Sequence, residues 1–108
     1  MSDKIKLVQG DTRPSIQVTL TDENTGDVID ITGASVKMFF RAVGDTGILD
    51  TLDGAITNPT GGVVIFSWNS NTLATADGQY EGEVQITFSD YTVQTAYSLL
   101  KFVVRADF

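Results

Sequence analysis

From Gln79 to Ser89 the chain alternates almost without a break, with Tyr80, Gly82, Val84, Ile86 and Phe88 on one phase and Glu81, Glu83, Gln85 and Thr87 on the other. A period of two sends successive side chains to opposite faces of an extended backbone, so this stretch reads as a strand with one face in a core and one in water. The pattern recurs from Ser15 to Thr21, where Ile16, Val18 and Leu20 alternate with polar residues, and from Ala34 to Ala42, where Val36, Met38 and Phe40 share a face. Phe39 falls on the opposite phase, between Lys37 and Arg41. In Val63 to Trp68, Val64, Phe66 and Trp68 share one phase and Val63 and Ile65 the other, which predicts a strand covered on both sides.

Between these stretches lie Gly, Asn and Asp clusters that break strands through backbone freedom and local side-chain hydrogen bonds. Asp22 to Asp27 and Gly44 to Gly47 read as turns, Asp53-Gly54 as a further turn, and Asn58 to Gly62 as a loop. Shorter strands are expected at Lys4 to Gln9, Ile48 to Leu52 and Ala55 to Thr57, and Val28 to Ile31 reads as a short returning strand or an extended rim segment. Ser70 to Ala76 has room for one helical turn, too short to stand as an independent helix. Asp90-Tyr91 is a hairpin tip, followed by a long last strand from Thr92 to Arg105. In that strand Tyr97 and Leu99 follow one phase while Leu100, Phe102 and Val104 follow the other, so a bulge or bend is expected at Leu99–Leu100. Short strands at regular spacing without a long helix predict an all-β fold, an antiparallel β-sandwich spanning residues 1–108 as a single domain. The expected core is Ile16, Val18, Val36, Met38, Phe40, Phe66, Trp68, Val84, Ile86 and Phe88.

Composition then closes off several kinds of chemistry. The 108 residues include no Cys and no His, which removes thiol nucleophiles, disulfides, thiolate metal sites and imidazole acid-base catalysis. Seven Lys and Arg against fourteen Asp and Glu give a net charge of −7, the wrong sign for wrapping nucleic acid or docking on an anionic membrane. The first residues show no charged, apolar and small-residue succession of a secretory signal, and no apolar run approaches the roughly 20 residues that span a bilayer.

The remaining candidates have ordinary explanations. Asp77, Tyr80, Glu81 and Glu83 form the best acidic cluster, but Glu81 and Glu83 occupy the phase opposite Tyr80, the solvated side of the strand. The run Asp22-Glu23-Asn24-Thr25-Gly26-Asp27, with Asp30, offers hard oxygen ligands, yet it lacks the length and terminal glutamate of an EF-hand loop and reads as a turn. Neither Gly61-Gly62 nor the Gly44 to Gly47 pair leads into a long helix that would cradle phosphate. The expectation is a chain that is not an enzyme, with no catalytic residues, no cofactor and no metal.

Four segments together carry a resemblance: Gln9-Gly10-Asp11-Thr12-Arg13-Pro14; Gly26 to Val36 with its Ile31-Thr32-Gly33-Ala34; Gly61-Gly62-Val63-Val64 through Phe66 to Trp68; and Gly78-Gln79-Tyr80-Glu81-Gly82-Glu83-Val84 through Phe88. In this order they resemble the immunoglobulin-like domain at the amino terminus of tailed-bacteriophage baseplate upper proteins and related tail, fibre and virion accessory proteins. The likeness extends roughly from Lys4 to Val104. It implies an immunoglobulin-like sandwich that serves as a structural part of a virion, in baseplate, tail, fibre or head decoration, made in the host cytoplasm and working through contacts with other virion proteins. The alternative is a module that binds glycans of the host surface. In such a domain Gly33 would kink the lip of the sandwich, Tyr80 would anchor its phenol to a loop, and Arg13 would pair with Asp11 or Asp30.

An assembly role directs attention to apolar residues that a lone domain leaves uncovered. Ile5 and Leu7 belong to a first strand expected at a sheet edge, Phe39 points outward, Tyr91 tops a hairpin, and Leu100 and Phe102 lie in a last strand apolar on both faces. These six are the expected interface, with a homo-oligomer as the expected arrangement and a trimer the favoured closed form. The competing reading folds Phe39 over its own sheet edge and lets the last strand cross between two sheets.

Overall fold

The computed structural model describes residues 5–69, 72–73, 78–96 and 99–106. The described residues form β1 (Ile5–Val8), β2 (Ile16–Thr19), β3 (Ser35–Ala42), β4 (Asp50–Asn58), β5 (Val63–Phe66), β6 (Gly78–Thr87), β7 (Val93–Thr95) and β8 (Leu100–Arg105), with no helix among them. Of the expected helical turn at Ser70 to Ala76 only Thr72 and Leu73 are described, and they lie in a turn. The fold is all-β. Its strands join in the order β1-β8-β6-β3-β4-β5-β2, with β7 pairing the far half of β6.

Two features depart from the expected architecture. The pairing is antiparallel except at one edge, where β1 runs parallel to β8 with Ile5 opposite Phe102 and Val8 opposite Arg105, so the sheet is mixed. Alternation reports which face a residue occupies but not which distant strand lies beside it, and this pairing joins residues nearly the whole described chain apart. The second departure is at Asp53-Gly54, which is strand rather than turn: β4 is continuous, with Asp50 to Asp53 on β3 and Gly54 to Asn58 on β5. One strand therefore carries the sheet around a corner, curling a larger half (β1, β8, β6, β3 and the start of β4) over a smaller one (the rest of β4, β5 and β2).

Packing explains the glycine at that corner. A Cβ on Gly54 would collide with the Val64 side chain and lie 3.0 Å from Phe66 Cε1 and 3.2 Å from the Val36 carbonyl oxygen. Only a residue without a side chain lets β4 bend this close to the core. Gly82 plays the same part on β6, where a Cβ would stand 2.7 Å from Met38 Sδ and 3.1 Å from Phe102 Cε2.

The core closes around Phe40. Its ring stacks on Tyr80 at 5.0 Å between centroids and meets Trp68 and Phe102 edge-on at 5.2 and 5.4 Å; Trp68 and Phe102 also meet edge-on, at 5.5 Å. Each such pair contributes about 0.5–1.5 kcal/mol beyond simple burial. The Trp68 indole Nε1–H donates to the Pro14 carbonyl at 2.9 Å, which satisfies the buried polar atom of the ring and ties the approach to β2 against the core. Ile16, Val36, Met38, Phe66, Val84 and Ile86 are buried as expected, whereas Val18 and Phe88 are only half-buried, packed against the core from its margins. Val18 lies on the edge strand β2 and Phe88 just past the end of β6, so neither has neighbours on every side. Leu7, Leu20, Ile31, Leu52, Leu73, Phe102 and Val104 complete the core.

The expected irregularity in the last strand is present. Thr95 faces Gln85 but Leu100 faces Gly82, so two extra residues intervene and separate β7 from β8; Tyr97 lies outside the described residues. Gly33 adopts a left-handed backbone, with φ of 75°. Tyr80 spends its ring on the stack with Phe40, and Arg13 forms no ion pair with Asp11 or Asp30 among the described residues.

Candidate interaction surface

Because β3 alternates, burying Val36, Met38 and Phe40 forces Lys37, Phe39 and Arg41 onto the outer face of the larger half-sheet. Strand register then sets their neighbours. Arg41 lies opposite Glu81 of β6, and Glu81 lies opposite Lys101 of β8, so one carboxylate sits in a row between two cations. In the next row Phe39 lies between Glu83 and Thr51, and beyond it Lys37 lies between Gln85 and Asp53. Arg41 Nε–H donates to Glu81 Oε1 at 2.9 Å, and Lys37 Nζ stands 3.9 Å from Asp53 Oδ1 in an exposed pair.

Glu81 is 8 % exposed, which corrects the expectation of a solvated carboxylate; Glu83 does remain exposed. The alternation placed Glu81 on the correct face, but that face is partly roofed. A groove of about 190 Å³ runs over it, lined by Phe39, Arg41, Ile48, Glu81, Glu83 and Leu99. Taking a carboxylate this far from water costs free energy, which the hydrogen-bonded Arg41 guanidinium offsets. The groove is smaller than the roughly 300 Å³ at which small-molecule pockets begin, so it suits one or two side chains of another protein rather than a free ligand. Ile48 on its rim is 56 % exposed, and Val43 and Leu49 on the same β3–β4 connection are exposed as well.

The six residues expected at an interface separate. Leu7 is 3 % exposed and Phe102 fully enclosed, so both belong to the domain's own core and offer nothing to a partner. Ile5 is half-buried on the edge strand β1, which does sit at a sheet margin. Leu100 is half-buried in a second groove of about 140 Å³, where Val18 and Leu20 face Val84 and Ala96 across the open side of the curled sheet. Phe39 and Tyr91 remain outward-facing, at separate places. Register brings Arg41, Glu81 and Lys101 together with Phe39, and sequence reading missed that row: each charge was visible, but their adjacency depends on which strands pair.

Tyr91 stands apart. It is 88 % exposed and adopts φ of 68°, a left-handed conformation that is uncommon for a bulky side chain. Its N–H donates to the Phe88 carbonyl at 2.9 Å while Phe88 N–H donates to the Thr92 carbonyl at 2.8 Å, closing a tight hairpin usually served at that position by Gly or Asn. The strain at Tyr91 brings no burial in return.

The acidic turns hold their own side chains. Asp22 Oδ1 accepts from Asn24 N–H at 2.8 Å, and Asp22 and Gly26 close the turn through the backbone. Asp30 accepts from both Oγ1–H and N–H of Thr32, and Asp90 from the same two groups of Thr92; these bonds hold both carboxyl groups below the ordinary aspartate range. At Asp50 burial acts in the opposite sense, but hydrogen bonds from Thr72, Asn69 and Thr51 outweigh it and the carboxyl again titrates low. Among the described residues no three Asp or Glu side chains converge as metal ligands, and Asp77 of the expected acidic cluster lies outside those residues. Compared with known proteins, the chain matches no family model and no curated sequence.

Proposed function

We propose that the chain is a structural module of a tailed-phage virion that works by binding other proteins, and that its curled sheet is an immunoglobulin-like sandwich. The observation that carries the binding role is the outer-face groove, where Phe39 and exposed Ile48 flank the Arg41–Glu81 pair with no role in closing the core. The virion context rests on the four ordered segments quoted above, and the immunoglobulin-like reading on those segments and on a core aromatic, Trp68, enclosed between the two halves of the sheet. Contacts with further copies of the chain, a trimer being the favoured closed form, and with other virion proteins follow from that reading, as do a location in the particle and an absence of catalytic, cofactor and nucleic-acid roles.

Electron microscopy of particles made without this gene product is the direct test. Density missing at defined, symmetry-related positions is expected, together with loss of the chain from purified particles. Particles identical in shape and content with and without the chain would overturn the proposal. Tyr91 is the observation that favours a glycan-binding role, since an exposed, strained tyrosine is a usable stacking surface for a sugar ring. Specific retention on a sugar array, abolished by Tyr91→Ala, would make that the better reading.

A further inference from the structure

The charges of this chain are unevenly placed. There is no Lys or Arg between Arg13 and Lys37, and none between Arg41 and Lys101. Lys6, Lys37, Arg41, Lys101 and Arg105 all occupy outward positions on the larger half-sheet, in register with one another across β1, β8, β6 and β3. These are five of the chain's seven cations, against Glu81, Glu83 and Asp53 on the same outward positions. A chain of net charge −7 thus carries one face with a surplus of positive charge.

The opposite sign gathers at one end of the molecule. Asp27, Asp30 and the Asp90-Tyr91 tip lie on connections at this end: Ile31 N–H bonds to the Pro59 carbonyl, Leu20 N–H to the Gly62 carbonyl, and Gly33 approaches Ser89. Strained, exposed Tyr91 tops the hairpin beside Asp90 at this end, and it is the exposed aromatic among the described residues.

We propose that the outer face of the larger half-sheet docks the acidic end of a second copy of this chain, head to tail, with the ring of Tyr91 seated in the groove beside Phe39. This rests on the protein-binding reading above and names its partner. Charge decides the geometry. A contact of the basic face with itself sets cation against cation, and a contact of the acidic end with itself sets carboxylate against carboxylate; a contact between the basic face of one copy and the acidic end of the next sets opposite signs against each other. Net repulsion between copies does not override this, because charges more than about 10 Å apart are largely screened at 0.1 M salt. A contact of this kind closes into a ring where its rotation allows and otherwise runs on as a filament.

The test uses two variants and their mixture, followed by sedimentation velocity in about 0.1 M salt. Lys6→Gln with Arg105→Gln neutralises two charges of the basic face, and Asp27→Asn with Asp30→Asn neutralises two of the acidic end; all four positions are exposed. Wild type is expected to associate at high concentration and to dissociate as salt rises. Each double variant alone is expected to associate at least about tenfold more weakly. An equimolar mixture is expected to form a one-to-one dimer and nothing larger, because each partner keeps only one working surface. A wild type that stays monomeric in about 0.1 M salt, a variant that associates as wild type does, or a mixture that stays monomeric overturns the proposal. Circular dichroism melts of both variants separate loss of contact from loss of fold. Particles that incorporate the chain although it never self-associates would leave the structural role standing while ending this inference.

Discussion

Phe39 and Phe40 are adjacent and chemically identical, yet they belong to different parts of the molecule. Phe40 is fully enclosed and touches three aromatic rings, while Phe39 stands on the outer face beside a charged row and an open groove. The inner face of β3 is a packing problem solved once, by shape. The outer face holds charges, a partly covered carboxylate and apolar side chains that the domain does not need for closure. Stability is therefore expected to reside on one side of the strand and recognition on the other.

The sharpest way to break this division is Phe40→Ala, which is expected to lower unfolding stability by about 3–5 kcal/mol in a denaturant titration. A loss below about 1 kcal/mol would mean that the aromatic cluster is not the cooperative centre. Gly54→Val fills the corner where β4 passes Val64 and Phe66 and is expected to cost about 1–3 kcal/mol through overpacking. An unchanged midpoint would show that the sheet curls less tightly there than described. Phe39→Ser should cost only about 1 kcal/mol while abolishing incorporation into particles. If stability instead falls by several kcal/mol, Phe39 belongs to the domain's own packing and the two faces are not divided in this way. Tyr91→Gly is the smallest effect and has the opposite sign. Relief of its left-handed backbone, reduced by the greater freedom of glycine in the unfolded chain, should raise stability by about 0.5–1 kcal/mol. A destabilised variant would show that the ring packs against its own domain.

The inner face was readable because burial and alternation are the same signal. Val36, Met38, Phe40, Val84 and Ile86 needed only their phase to be placed, and the break in the last strand showed itself as a change of phase. What pairing decides was not readable. Glu81 looked solvated because its cations stand on β3 and β8, forty positions before it and twenty after. Leu7 and Phe102 looked available to a partner because nothing local reveals that β1 and β8 lie side by side above the same core. Asp53-Gly54 carried the composition of a turn, yet the glycine serves close approach to Val64 rather than chain reversal. Tyr91 was legible as a hairpin tip, but its backbone strain appears only in three dimensions.

The parallel edge also determines how the domain bears a mechanical load. With β1 and β8 running the same way, tension applied at Ile5 and Arg105 slides one strand along the other, so the evenly spaced bonds of the pair share the force. Force applied at Val8 and Arg105, which face each other, peels the same strands apart one bond at a time. Forced unfolding is governed by the height of this barrier rather than by equilibrium stability. Handles at the first pair of positions should therefore rupture at higher force than handles at the second, and equal forces would place the barrier elsewhere. A module stretched along its own chain direction thus meets the load with its first and last described strands locked in shear.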